Sequence, residues 1–182
     1  MEFWDIYDEN KKPTGRTMKR NDWCLKDGEY HLTVLGVVGR PDGTFLITKR
    51  VMTKAWAPGW WEVSGGAAQA GEESCEAVLR EVKEETGLTL TSYQFRGLIT
   101  FISDVCEQEL MCLFTADGFT GSLTACNEGE LEWVDKSIVP SLPTWTGDAI
   151  FLKLLLEDEQ RFFTLRLVYE GDELVEHRLE FY

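Results

Sequence analysis

Two periodicities divide the chain. Between 73 and 86, Cys75, Val78, Leu79 and Val82 recur at three- and four-residue spacing, the apolar stripe of an amphipathic helix, and Gly87 follows where a left-handed stop favours glycine. A second helical pattern occupies 149–157. Elsewhere short apolar or alternating runs predict strands: 32–38, 44–50, 61–63, 98–103, 110–116 and 131–135, then a terminal hairpin of 162–169 and 174–181 turning at Glu170-Gly171-Asp172. Pro41-Asp42-Gly43 between the first two runs predicts a turn that pairs them as a hairpin. Strands interleaved with two helices place the chain in the α/β class.

Composition narrows the picture. A length of 182 residues with 43% hydrophobic content suits one domain, 1–182, with residues 1–30 as an integrated extension packed on it and no Pro- or Ser-rich linker. The start, Met1-Glu2-Phe3-Trp4-Asp5, has neither the basic nor the apolar segment of a signal peptide, and no run approaches a membrane span. No membrane partner is expected. Five cysteines, at 24, 75, 106, 112 and 126, are odd in number and irregularly spaced, which argues against a disulfide framework or structural zinc and fits a reducing cytoplasm. The formal charge of −14 argues against binding to a nucleic acid polymer. An acidic protein that handles an anionic substrate needs cations between the two.

The 73–86 helix carries the residues that supply them. Glu81, Glu84 and Glu85 stand at i, i+3 and i+4, so three carboxylates share one face beside the apolar stripe. A solvated acidic face relieved by Arg80 and Lys83 is the plain reading of such a helix. The spacing of the surrounding residues points further: Gly66, five residues, Glu72, seven residues, Arg80-Glu81-Val82, one residue, Glu84-Glu85, one residue, Gly87-Leu88. At ordinary residue frequencies of roughly 5 to 7 per cent, chance yields this pattern in well under about one chain in a million. Oxygen-only clusters of this kind suit the hard cations Mg2+ or Mn2+.

The run 66–88 resembles the complete Nudix box, and the chain resembles that family of pyrophosphohydrolases over most of its length. The resemblance implies an α/β/α sandwich with a mixed sheet, hydrolysis of a phosphoanhydride in a small-molecule nucleotide, and Mg2+ or Mn2+ as cofactor. It implies that Glu81, Glu84 and Glu85 bind metal and that one of them, or a further glutamate, takes the proton of the attacking water. Arg80 would orient a glutamate, and Glu72 would brace the loop through Arg80; taken by itself, Glu72 is also a favourable charge near a helix N-terminus. A further metal ligand outside the box has candidates in Glu107, Glu109, Glu128, Glu130 and Glu132. Counting back from Trp133, Glu128 takes the place of the loop glutamate of oxidised-purine nucleotide diphosphatases. A homodimer is compatible with the resemblance.

The C-terminal third is similar to 8-oxo-dGTP diphosphatases of the MutT type, from Gly97-Leu98-Ile99-Thr100-Phe101 through Leu131-Glu132-Trp133-Val134 to Leu142-Pro143-Thr144-Trp145-Thr146-Gly147-Asp148. This implies a modified purine nucleoside triphosphate as substrate, with Trp145 stacking near the base and Asp148 meeting its edge. The alternative roles are Asp148 capping a helix that starts near Ala149 and Trp145 as core. One departure concerns Glu62, after Trp61, where those enzymes carry a base-reading Asn. A carboxylate accepts hydrogen bonds where an amide both donates and accepts.

The front of the chain offers a competing resemblance. Trp4-Asp5-Ile6-Tyr7-Asp8-Glu9-Asn10, Thr14-Gly15-Arg16 and His31-Leu32-Thr33 are similar to the opening of isopentenyl diphosphate isomerase-like Nudix proteins. That chemistry requires a Cys-Gly-His segment before the box and several histidine ligands. Here the stretch is Ser64-Gly65-Gly66-Ala67, the chain has two histidines, and Cys75 lies on the helix stripe. His31 at a strand start reads as a hydrogen-bonded structural residue. A third class, a nucleotide sensor without turnover, normally carries a damaged box.

Overall fold

The computed structural model describes residues 2–53, 57–125 and 129–182. Eleven strands and two α-helices are assigned among them, in the order β1 (Phe3–Tyr7), β2 (Pro13–Lys19), β3 (Tyr30–Val38), β4 (Thr44–Arg50), β5 (Trp61–Glu62), β6 (Ser64–Ala67), α1 (Ser74–Thr86), β7 (Thr89–Ser103), β8 (Glu109–Thr120), β9 (Gly129–Asp135), α2 (Thr146–Leu156), β10 (Phe163–Glu170) and β11 (Glu173–Phe181). A larger sheet runs β11-β10-β7-β8-β3-β1-β2, with β6 also paired to β3, and a smaller one runs β5-β4-β9. The larger sheet is mixed, because β3 lies parallel to β8 and β7 parallel to β10 while the other pairs are antiparallel.

The two-residue period of a strand sends alternate side chains to opposite faces. On β3 and β8, Val34, Val38, Leu110, Cys112 and Phe114 join the core around Val78 and Val82 of α1. Val37 and Leu113 point the other way and join Phe151 and Leu152 of α2, Leu165 and Leu167 of β10, and Phe45 and Ile47 of the small sheet. The sheet is thus covered on both faces, the α/β/α layering expected of the sequence. Helix α1 ends as its sequence predicts, with Gly87 in the left-handed region at φ 81° and its N–H bonded to the Lys83 carbonyl.

Four details differ from the sequence reading. The runs 32–38 and 44–50 are joined by a tight turn but form no hairpin; past the single bridge Gly39↔Phe45 they part into different sheets. Both edges of β3 are already taken, by β8 on one side and by β1 and β6 on the other, so β4 pairs with β5 and β9 instead. Strands β7 and β8 extend well beyond 98–103 and 110–116, and much of 89–95 is exposed, which hides it from a search for buried alternation. Residues 1–30 contain the β1–β2 hairpin, whose Ile6 and Tyr7 pair with His31 and Tyr30. Helix α2 begins three residues earlier than expected, at Thr146.

Candidate active site

A cleft of about 630 Å3 opens on the face of the large sheet that carries α2. Its lining draws on distant parts of the sequence: Glu62, Gly65 and Gly66 before α1, Glu81 and Glu85 on it, Glu109 on β8, and Trp145 and Asp148 at the start of α2.

One end of the cleft is built around Arg80. Its guanidinium donates from Nε and Nη2 to the two Glu72 carboxylate oxygens, both at 2.8 Å, from Nη1 to Glu81 Oε1 at 2.6 Å, and from Nη2 to the Ala67 carbonyl at 3.1 Å. A planar fork makes this set possible, since a lysine presents one point charge. The Glu72 carboxyl is held below the usual carboxylate range, first by the hydrogen bond from Arg80. Glu81 goes the other way: burial raises its pKa, and Arg80 offsets only part of that. A Cβ on Gly66 would lie 2.5 Å from the Glu81 carboxyl carbon, so a larger residue there would push the Glu81 carboxyl from its place. Glu85 accepts the Gly65 N–H at 3.2 Å.

The three carboxylates of the α1 face therefore do not stand equally. Glu81, with 13% of its side chain exposed, and Glu85 line the cleft, whereas Glu84 is 63% exposed and meets Arg80 only at 3.5 Å. Among the described residues no three His, Cys, Asp or Glu side chains form a ready cation cage. The donor set fits a hard cation nonetheless: paired glutamate oxygens facing a cleft suit Mg2+ or Mn2+, which keep several waters and share substrate phosphate oxygens. Glu128 lies outside the described residues. Of the other acids considered for a metal role, Glu107 accepts the Trp23 N–H at 2.9 Å and Glu109 lies on the cleft floor.

The far end is aromatic and acidic. Trp61 N–H donates to the Pro143 carbonyl at 2.9 Å, which brings the 143–145 loop beside β5. Trp145 packs near Trp60 and edge-on to Tyr169, with ring centroids 4.8 and 6.2 Å away, and Tyr169 Oη accepts the Gly147 N–H at 2.7 Å. Asp148 does not cap α2. The capping position is Trp145, without a side-chain cap bond, and Asp148 sits within the first turn. Its pKa is pushed up to about 7, first by burial and then by the charges of Glu62 and Glu109. Glu62 is itself gripped by Arg50, whose Nη1 donates to both carboxylate oxygens at 3.0 and 2.9 Å.

This placement sets a pH dependence. An acid whose folded pKa is raised contributes stability that is full below its unfolded value, here 3.8, and lost as pH rises through about 7. The difference in Tm between Asp148→Asn and the parent is therefore expected to shift in favour of the variant from pH 4 to pH 7 and to level off above. Thermal melts across that range check it, and parallel curves would contradict the buried setting of Asp148.

Sequence reasoning missed the floor and one wall of the cleft. Phe101 and Met111 form part of the floor, and Glu2, Trp4 and Trp23 from the N-terminal segment form the wall. Strand parity from 109 onward was the available signal for the floor; nothing local marked the wall. His31 is buried and stacked on Trp4 at 4.4 Å, and its Nδ1 has no partner among the described residues. Burial pushes its pKa down to about 4, so the ring is neutral at physiological pH.

Comparison with known proteins sets this geometry in context. The family model described as NUDIX domain matches residues 29–155. An oxidized purine nucleoside triphosphate hydrolase of Danio rerio is 31% identical over 151 residues, 82% of this chain and 94% of that protein. An isopentenyl-diphosphate Delta-isomerase of Kocuria rhizophila is 29% identical over 80% of this chain and 88% of its own. A crystal structure of the mutator MutT protein from Bacillus halodurans superposes with a TM-score of 0.74 at 29% identity, covering 82% of this chain and 97% of that one.

Proposed function

The chain belongs to the Nudix family, and from that premise we propose that it hydrolyses a modified, oxidised purine nucleoside triphosphate to the monophosphate and pyrophosphate. That it is a Nudix hydrolase follows from the family; the substrate is our reading. The observation that carries it is the sharing of one cleft by Glu81 and Glu85 with Trp145 and Asp148. Carboxylates suited to a cation-bound polyphosphate thus face the same space as an aromatic and a carboxyl suited to a base.

Nudix hydrolases generally need a divalent metal, and a bound cation supplies neutralisation of phosphate charge and a water acid enough to attack. The chain's own residues do the placing. Glu81, Glu84 and Glu85 are the proposed ligands, with Glu128 as a further one. Arg80 fixes Glu81 in the cleft and ties it through Glu72 to the loop before α1, while the Gly65 N–H fixes Glu85. Trp145 offers a ring face to the base. Asp148, with its pKa pushed up to about 7, offers its edge both a donor and an acceptor near neutral pH. Glu62, already engaged by Arg50, borders the same space.

Isomerisation fits the cleft poorly. The stretch Ser64-Gly65-Gly66-Ala67 holds neither thiol nor imidazole where that chemistry needs a Cys-Gly-His segment. Cys106 lines the cleft, but burial pushes its thiol up, away from the reactive thiolate.

The test is a product analysis of oxidised and unmodified purine triphosphates, nucleotide sugars, dinucleoside polyphosphates and isopentenyl diphosphate, with Mg2+ and with Mn2+. Monophosphate and pyrophosphate from the oxidised purine triphosphate are expected. Release of orthophosphate and a diphosphate, or isomerised isopentenyl diphosphate, would overturn the proposal.

A further inference from the structure

The cleft floor holds a carboxyl that neither the box nor the aromatic loop explains. Glu109 opens β8, in register with Phe101 on β7 and with His31 on β3. Its side chain accepts the Thr33 hydroxyl at 2.9 Å. In either protonation state a carboxyl has several hydrogen-bonding sites, so a single hydroxyl leaves most of its capacity unused. Among the described residues no lysine or arginine forms an ion pair with it; burial and the charge of Glu107 raise its pKa and the Thr33 hydroxyl lowers it, and its own charge acts on Asp148. A partly buried carboxyl in this condition on a cleft floor is an acceptor without its donor.

Asp148 stands on the other side of the same aromatic ring. The register across the sheet runs Leu167, Phe101, Glu109, on β10, β7 and β8 in turn. The first turn of α2 is seated on β10, where a Cβ on Gly147 would lie 2.6 Å from a Leu167 methyl and the Gly147 N–H meets Tyr169. Strands one apart in a sheet are separated by about 10 Å. Asp148 and Glu109 therefore flank Phe101 from opposite sides, at a spacing that admits a flat two-ring base over the phenyl floor.

We propose that Glu109 is a second base-reading carboxyl, accepting from a ring N–H on the edge remote from Asp148, and so selects oxidised purines over unmodified ones. The inference rests on the purine reading above. Oxidation at the carbon between the imidazole nitrogens turns N7 from an acceptor into an N–H donor. Burial raises the Glu109 pKa to about 7, so the discrimination is that of its ionised form, above neutral pH: there the donor makes a charge-assisted hydrogen bond, whereas the unmodified nitrogen presents a lone pair to a lone pair and leaves both unsatisfied. Thr33 is the positioning residue, since its hydroxyl fixes the carboxyl that does the reading.

Binding of 8-oxo-2′-deoxyguanosine monophosphate and of deoxyguanosine monophosphate to the full chain, measured by calorimetry, tests this without turnover. Above pH 7, where Glu109 is ionised, the parent protein is expected to prefer the oxidised nucleotide by at least about tenfold, and the preference should shrink as pH falls below 7. Glu109→Gln should reduce that preference to within about threefold, chiefly by improving the unmodified nucleotide, because an amide can turn its N–H toward N7. Thr33→Val, which leaves Glu109 in place without its orienting hydroxyl, should reduce the preference in part and serves if the Gln variant fails to fold. Asp148→Asn should weaken both nucleotides. Equal affinity of the parent for the two, no binding of either at millimolar concentration, or an unchanged preference in the Glu109 and Thr33 variants would overturn the assignment. The functional reading fails on a different result, the absence of pyrophosphate release from purine triphosphates by the parent.

Discussion

Glu85→Gln, and likewise Glu84→Gln, is expected to lower kcat/KM by at least about a hundredfold with the fold intact. A neutral amide presents one oxygen and no charge to a hard cation, and cation affinity is set by ionised oxygen ligands. Folding should respond in the opposite sense. Glu84 is exposed and stands four residues after Arg80 on a face that also carries Glu81 and Glu85. Removing one negative charge there relieves repulsion of roughly 0.2 to 0.5 kcal/mol per pair, so Tm without metal should stay level or rise slightly. The control is Glu76→Gln: Glu76 accepts the Glu73 N–H at 3.0 Å at the front of α1 and does not line the cleft, so its loss should touch Tm and leave turnover alone. Rates measured in Mg2+ decide the matter, and parental rates in both glutamate variants would remove the metal role from this helix face.

Arg80→Ala is expected to cost both activity and stability. Its guanidinium serves Glu72, Glu81 and the Ala67 carbonyl, and the side chain is only 20% exposed. Removing it leaves two partly buried carboxylates without their cation, which costs more than the pair itself contributes; about 2 to 4 kcal/mol is the expected loss. Glu81, already raised by burial, would then be drawn further toward its neutral form, and kcat/KM should fall by about ten- to a hundredfold. Arg80→Lys should recover part of the stability and little of the activity, because one ammonium cannot make the forked bond to Glu72 and reach Glu81 together. Denaturant titration and kcat/KM on the two variants check this. Stability equal to the parent's in Arg80→Ala would reduce the network to surface pairing.

The two predictions differ in how far the sequence reached. The box helix was legible almost to the residue, from an apolar stripe at helical spacing closed by Gly87, because a helix and its stop depend on neighbours within one turn. The link from Arg80 to Glu72 crosses eight positions and a loop, and its geometry came only with the fold. Strand positions were legible where an apolar run is buried, as in 44–50, and illegible in 89–95, where exposed residues leave no pattern to read. Strand partners were less legible still. The turn at Pro41-Asp42-Gly43 promised a hairpin, but pairing depends on which edges are vacant, and β3 had none to give.

By itself, then, the sequence determined the α/β class, the box helix with its acidic face, and the family of chemistry, since each rests on residues close enough along the chain to act through local geometry. Tertiary structure decided where the acids lie and in what state. It separated Glu84 from Glu81 and Glu85, excluded the capping alternative for Asp148, and brought Glu109 into the same cleft. The reason is physical: burial and the charges of groups remote in sequence set the protonation and free valences of a carboxyl, and both exist only once distant strands lie side by side.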